Sequence, residues 1–388
     1  MINLEKVYYV KEENSHSLVP SEQICVRDIS TVSDYLRAIT MIHSNYFILK
    51  YALATDIRSY ENMFSRDDTK DFIENIITNG VYFRGQVKDY NNVIPSLYRS
   101  LDSIFFEEEY IKRAELSSPK EFSSTGSFLG KLALMQHYGM TTRILDITTN
   151  ALVALYFAVE DGVNDLDTIS DGVIFLYKKE FPQVETELSE RVCIKANISR
   201  LSIQEKISLF KVVNNASITD KENLLLTFQH IFEISRILRK LIDYSSTDLG
   251  YAPTIILKEY LFGAEIVYAS EIDSRIMRQS GLFIIWGLDC LDKISECGIN
   301  EKSEDDKKAI LQEIQTGINK TLEKMEFIYS PEIFLKQGKS QGNVRIKIKK
   351  EYKKQILSEL KLLGITGQAI YPDLQHKLEY IKNLKFKL

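Results

Sequence analysis

Along this chain the spacing of apolar positions shifts between the two-residue period of strands and the 3.6-residue period of helices, and each shift predicts an element. Val7–Val10 and Gln23–Val26 read as short strands. Ser33 or Asp34 opens a helix through Tyr35, Leu36, Ile39 and Ile42 that continues brokenly to Tyr51. Asp67 or Asp68 caps a second helix through Phe72, Ile73 and Ile76, which Asn79 and Gly80 end. Residues 81–86 form a β-branched and aromatic strand that delivers one arginine, Arg84, immediately before a glycine. A proline-containing loop at 91–99, an acidic amphipathic helix at 105–116 and a Ser-rich, flexible connection at 117–127 follow.

Residues 131–161 carry the most unusual run, and the rest of the chain is read against it. Leu132, Leu134 and Met135 lead a helix to His137 or Tyr138, where Gly139 can take the positive φ of a helix end. Residues 141–148 then read as a strand in which Arg143 and Asp146 interrupt Ile144, Leu145 and Ile147. Thr149 or Asn150 caps a helix from Ala151 to Val159 that is apolar on nearly every side and therefore buried.

Beyond it, 172–177 is a strand. Residues 185–249 are helical, best seen at 221–242, where Leu224, Leu225, Phe228, Ile231, Ile234 and Leu238 recur, and they read as an inserted helical lobe. Strand signals return at 255–257 and 264–268, and a polar approach from Ser274 becomes a core strand ending at Trp286. Ser303 caps a long helix to about residue 326, with Asp305 and Asp306 in its first turn. Val344, Ile346 and Ile348 alternate with Arg345, Lys347 and Lys349 as a half-buried strand, and helices at 351–363 and 373–383 close the chain.

Composition narrows the class. Hydrophobic residues at 44% and charged residues at 27%, with 21 Tyr and 19 Phe, argue against disorder. No apolar run approaches the roughly 20 residues of a membrane helix, and the first residues lack the core of a signal peptide, so a cytoplasmic protein without membrane contact is expected. Four scattered cysteines suit a reducing compartment; the spacing of Cys290 and Cys297 is wider than a zinc knuckle's, and no metal is expected. The net charge of −5 gives no general pull toward nucleic acid, but from Asn343 to Leu388 eleven Lys and Arg face four Asp and Glu. That excess suits a solvated helix face or a phosphate-binding patch.

Gly338-Lys339-Ser340 resembles the end of a phosphate-binding loop, but Ile333 stands where its glycine is required. No nucleophile elbow and no helical histidine pair is present. What remains is a set of polar residues beside positions that should be buried: Arg84, Gln136, His137, Arg143, Asp146 and Gln279. Such groups cost several kcal/mol unless paired, so they either pair with one another or serve a ligand. Arg84, ending a strand before glycine, is well placed to offer its planar fork to a phosphate.

Phe83-Arg84-Gly85, Pro95 to Arg99, Leu134 to Gly139, Thr142 to Asp146 and Ala154 to Ala158 resemble, in order and spacing, the FRG-domain family. The motifs are similar in turn to those of ADP-ribosyltransferases. That resemblance implies an α+β fold with a split mixed β-sheet core covered by helices; the inserted helical lobe, read from its spacing, lies outside the resemblance. The chain then has three parts: a segment at 1–70, the FRG domain at 71–290 with its insertion at 185–249, and a C-terminal segment at 291–388. By the same resemblance NAD is a substrate, held by Arg84, Gly85, Arg143, Thr148 and Thr149, with Ala154 and Phe157 following the threonines. In the third strand of the pattern Gln279 to Phe283 align, with glutamine and glycine where a glutamate is expected. Catalysis then falls to His137, Asp146, Gln279 or Glu265. The implied function is an effector, a bacterial toxin or antiphage-defence component, modifying a protein, RNA or DNA acceptor and controlled by a neutralising or activating partner. A nucleotide- or RNA-binding module without catalysis, and a regulatory domain whose polar residues are all structural, are the alternatives.

Overall fold

The computed structural model describes residues 7–10, 23–26, 29–39, 79–90, 93–180, 184–268, 278–289, 291, 294, 303–325, 328–329 and 342–371. Strands β1 (Val7–Val10) and β2 (Gln23–Val26) precede helix α1, residues 32–39. Next come β3 (Asn79–Gln86), α2 (Glu107–Ser117), α3 (Phe128–His137), β4 (Ile144–Thr148) and α4 (Ala151–Val159). The middle of the chain gives β5 (Gly172–Glu180), β6 (Glu185–Thr186), α5 (Glu190–Asn197), α6 (Ile203–Asn215), α7 (Phe232–Leu249), β7 (Ala264–Tyr268) and β8 (Gly281–Trp286). The last elements are α8 (Glu304–Glu323), β9 (Ile328–Tyr329), β10 (Gly342–Ile348) and α9 (Lys350–Leu362). The helices expected near 67–76 and 373–383 fall outside the described residues.

The described strands join in one mixed sheet of order β1-β2-β10-β5-β3-β4-β8-β7-β6, with β9 beside β10. Most neighbours are antiparallel; β10 with β2 and β6 with β7 are parallel. On one face α1, α4 and α9 bury Tyr35, Leu155 and Ile356 against Phe83, Ile174 and Ile346, while α2 and α3 cover Ile144, Phe283 and Ile285. On the other face α6 to α8 bury Leu209, Ile237 and Ile314 in one cluster with Leu145, Phe175, Ile284 and Trp286, while α5 contributes to both sides, Ile194 to this cluster and Val192 and Ala196 to that of Ile144 and Phe283. Each large apolar side chain so buried contributes roughly 1.5–3 kcal/mol. The helices expected as an inserted lobe therefore share one core with the sheet and form its covering layer.

Four local expectations are corrected. Residues 221–242 are not one helix: a short turn, Leu224–Thr227, precedes α7. Residues 255–257 form no strand, because Ile256 is committed to that turn, accepting from Leu224 N at 2.8 Å and donating to Asn223 Oδ1 at 3.2 Å. The connection at 117–127 contains a helical turn started by Pro119 and anchored by buried Phe122, and its Ser127 side chain caps α3. Arg345 does not point to solvent: β10 lies inside the sheet, and the guanidinium stacks 4.9 Å from the Phe175 ring centroid.

Arg143 is likewise a core residue. Its Nε and Nη2 grip the Glu107 carboxylate in a bidentate pair at 2.8 and 2.5 Å, its Nη1 donates to the Trp286 and Gly287 carbonyls, and Lys206 Nζ reaches the same carboxylate at 2.7 Å. Burial pushes the Glu107 carboxyl upward, but the Arg143 and Lys206 charges outweigh it and bring it down from 4.5 to about 2. This depressed carboxyl contributes stability that is present above pH 4.5 and lost as the pH falls through about 2.

Helix α4 lies so close to the sheet that a Cβ on Gly85 would sit 1.8 Å from the Ala154 carbonyl oxygen, and one on Gly172 would sit 2.2 Å from that of Ala158. Both contacts are with backbone, so only a shift of the helix could relieve them. Glu107→Gln is expected to destabilise the protein by about 3–5 kcal/mol, with Arg143 and Lys206 left buried beside a neutral partner, and denaturant unfolding at neutral pH measures it. Gly85→Ala is expected to cost about 3 kcal/mol in the same experiment through overpacking against α4.

Candidate functional site at the seam of the sheet

The sheet is weakest where the chemistry collects. β3 pairs with β5 through eight residue pairs and β4 pairs with β8 through five, but β3 and β4 meet only at Phe83 and Thr148. Past that pair the strands part, and a side chain stands in for the missing ladder: Arg84 Nη1 donates to the Asp146 carbonyl at 2.5 Å. A cleft of about 570 Å³ opens at this seam, within the size range of small-molecule sites. Gln136 and His137 line it from the end of α3, Phe157 and Glu160 from the end of α4, and Arg84 and Gln86 from β3, with Arg99 beside them.

Arg84 is half-buried, and its Nε has no hydrogen-bond partner among the described residues. Burial pulls its pKa below the ordinary guanidinium value; the Asp146 charge opposes that pull and the neighbouring Arg99 adds to it. Arg84 and Arg99 thus put two guanidiniums on one cleft, Arg84 with an unmet donor and with the Asp146 carboxylate as a counter-charge. The buried Gln86 Oε1 also has no partner among the described residues.

Asp146 is exposed to the cleft and held from one side. Its Oδ2 accepts from Gln136 Nε2 at 2.7 Å, and Gln136 Oε1 accepts from Thr142 Oγ1 at 2.5 Å. This arrangement depends on where α3 stops. Gly139, at φ +85°, reverses the chain so that Gln136 and His137 end over β4. His137 also meets the Tyr138 ring at 5.1 Å.

Two of the expected cofactor residues are occupied in holding the frame. Thr148 Oγ1 donates to the Gln279 carbonyl at 2.6 Å and accepts from Asn150 N at 2.9 Å, and Thr149 reaches the Ser280 carbonyl through both its N and its Oγ1. Ser280, with φ 47°, adopts the left-handed turn into β8 that these bonds secure. Gln279 lines the cleft, and its Nε2 donates to the Ile370 carbonyl at 3.3 Å.

The structure thus brings Arg84, His137, Asp146, Thr148 and Gln279 together around one cleft, with Gly85 in its wall and serving helix packing. It does not bring Arg143 there, since that guanidinium is engaged in the core pair with Glu107. Glu265 is also elsewhere, paired with Arg191 at 3.2 Å. Sequence reasoning missed Glu160, Gln86 and Tyr90 as lining residues. For Glu160 a signal existed, a carboxylate directly after an apolar helix, where charge has to face outward or into a site.

The fold and cleft define an α+β protein with a ligand-sized opening at a parted sheet. Residues 79–166 match the FRG domain, so the chain carries an FRG domain over β3, α2, α3, β4 and α4. No curated protein and no solved structure matches the chain. Among the described residues no His, Cys, Asp and Glu cluster is arranged to hold a metal ion, and no helix is long and apolar enough to cross a membrane. Cys290 and Cys297 lie outside the described residues.

If the Thr148 hydroxyl holds the turn into β8, Thr148→Val should lower stability by about 1–3 kcal/mol, since Asn150 N and the Gln279 carbonyl lose their partner. Thermal unfolding measures the loss.

Proposed function

We propose that the seam cleft binds NAD and that the chain is an ADP-ribosyltransferase-like effector modifying a macromolecular acceptor. In this reading the parting of β3 from β4 serves as the split core that such a site requires. One observation carries it: the half-buried Arg84 guanidinium, set at the parting with its Nε unmet among the described residues and Arg99 close by. A pyrophosphate supplies an acceptor for the unmet Nε and negative charge beyond that of Asp146.

The other residues fall into place around that anchor. Asp146, oriented by Gln136, supports the positive charge that builds on the ribose as nicotinamide leaves. Phe157, part-exposed at the end of α4, offers a ring to a base of the dinucleotide, and His137 and Gln279 complete the polar lining. Gly85, Thr148 and Thr149 act at one remove, by fixing α4 and the turn into β8.

The test is incubation of the purified chain with isotopically labelled NAD and a cell extract. Label is followed in protein, RNA and DNA fractions, with free nicotinamide measured alongside. Transfer by the wild type that falls by about 100-fold or more in a folded Arg84→Ala variant is the expected result. NAD binding without nicotinamide release or transfer would favour the nucleotide-binding module instead, and absence of both binding and turnover would reject the reading.

A further inference from the structure

The FRG domain match ends at residue 166, yet the chain near residue 370 reaches the rim of the cleft. The Tyr371 ring meets Phe157 edge-on, with centroids 6.1 Å apart, and the Tyr371 hydroxyl donates to Glu160 Oε2 at 2.9 Å. Glu160 opens the 3-10 turn Glu160–Val163 that follows α4, and it is half-buried. It faces the cleft from the α4 wall, whereas Asp146 and its partner Gln136 stand on the β4 and α3 wall. Among the described residues 278–280 of the turn into β8 there is no carboxylate: Gln279 lines the cleft there, and its amide nitrogen donates to the Ile370 carbonyl.

A carboxylate facing a cleft with its orientation fixed by a third group is the arrangement of a general base. We infer that Glu160 is the catalytic residue that takes the acceptor's proton in the transfer proposed above, and that Tyr371 is a positioning residue for it. The inference rests on the NAD reading. In the step, the bond from the ribose C1′ to nicotinamide breaks, and its electron pair leaves with nicotinamide. The acceptor's oxygen or nitrogen forms the new bond to C1′, and the proton it loses goes to the Glu160 carboxylate. Asp146 and Glu160 then have separate tasks, one on the developing cation and one on the nucleophile.

The separation of tasks gives a readout that a structural role would not move. Label transferred to acceptor and nicotinamide released are measured in one reaction, and NAD binding is titrated separately. Glu160→Gln is expected to lower the ratio of transfer to release by about 100-fold, the low end of what a general base contributes. Asp146→Asn should lower transfer and release together. Tyr371→Phe keeps the ring contact with Phe157 and removes only the hydroxyl; a loss of about tenfold in the same ratio is expected, the value of one hydrogen bond to a charged group. Should Glu160→Gln fail to fold, Tyr371→Phe decides the matter.

A wild-type ratio in either folded variant, or parallel loss of transfer and release, overturns the inference while leaving the NAD reading in place. A wild-type protein that binds NAD but releases no nicotinamide overturns the inference and the catalytic half of that reading. One that binds no NAD removes both.

Discussion

The single pairing of Phe83 with Thr148 is the constraint on which the site depends. Strands that part expose backbone groups that must be satisfied some other way, and here Arg84 supplies the donor for the Asp146 carbonyl. The same guanidinium is thereby held at the mouth of the opening with donors to spare. A fully laddered β3–β4 pair would close the cleft and leave Arg84 no reason to be there. The opening and the local weakness of the sheet are one feature.

An opening of this kind has to be braced on both sides. On the β3 side, Gly85 and Gly172 let α4 approach within backbone contact, so the helix fixes β3 and β5 as one slab. Lys353 adds a second tie: its buried ammonium donates to the Val87 carbonyl and to Asp161, both at 2.7 Å, joining the end of β3 and the turn after α4 to α9. On the β4 side, Arg143, Glu107 and Lys206 lock β4 and β8 to α2 and α6. Ion pairs this deep contribute little beyond their own desolvation cost, but removing one member is expensive, so they fix geometry more than they add stability.

Much of this frame was legible because its signals are local. Gly139 ends α3 at His137, Asn150 caps α4, and the alternation of Val344, Ile346 and Ile348 marks β10. The FRG-domain resemblance is matched over residues 79–166. What could not be read were the roles that depend on distant partners. Arg84 and Arg143 look alike in sequence, each beside strand residues, yet Arg143 finds Glu107 and the carbonyls of Trp286 and Gly287, while Arg84 is left at the seam. Gly85 is a packing glycine only because Ala154 lies across from it. Glu160 accepts a hydrogen bond from Tyr371, 211 residues away, a contact that no local pattern records.

The central claim is that the seam grips a pyrophosphate through Arg84. Calorimetric titration of the full chain with NAD, with ADP-ribose and with nicotinamide riboside addresses it directly, because only the last lacks a pyrophosphate. The account predicts binding of the first two, weak or absent binding of the third, and loss of that distinction in Arg84→Ala. Equal affinity for all three, or NAD affinity unchanged by Arg84→Ala, would contradict it.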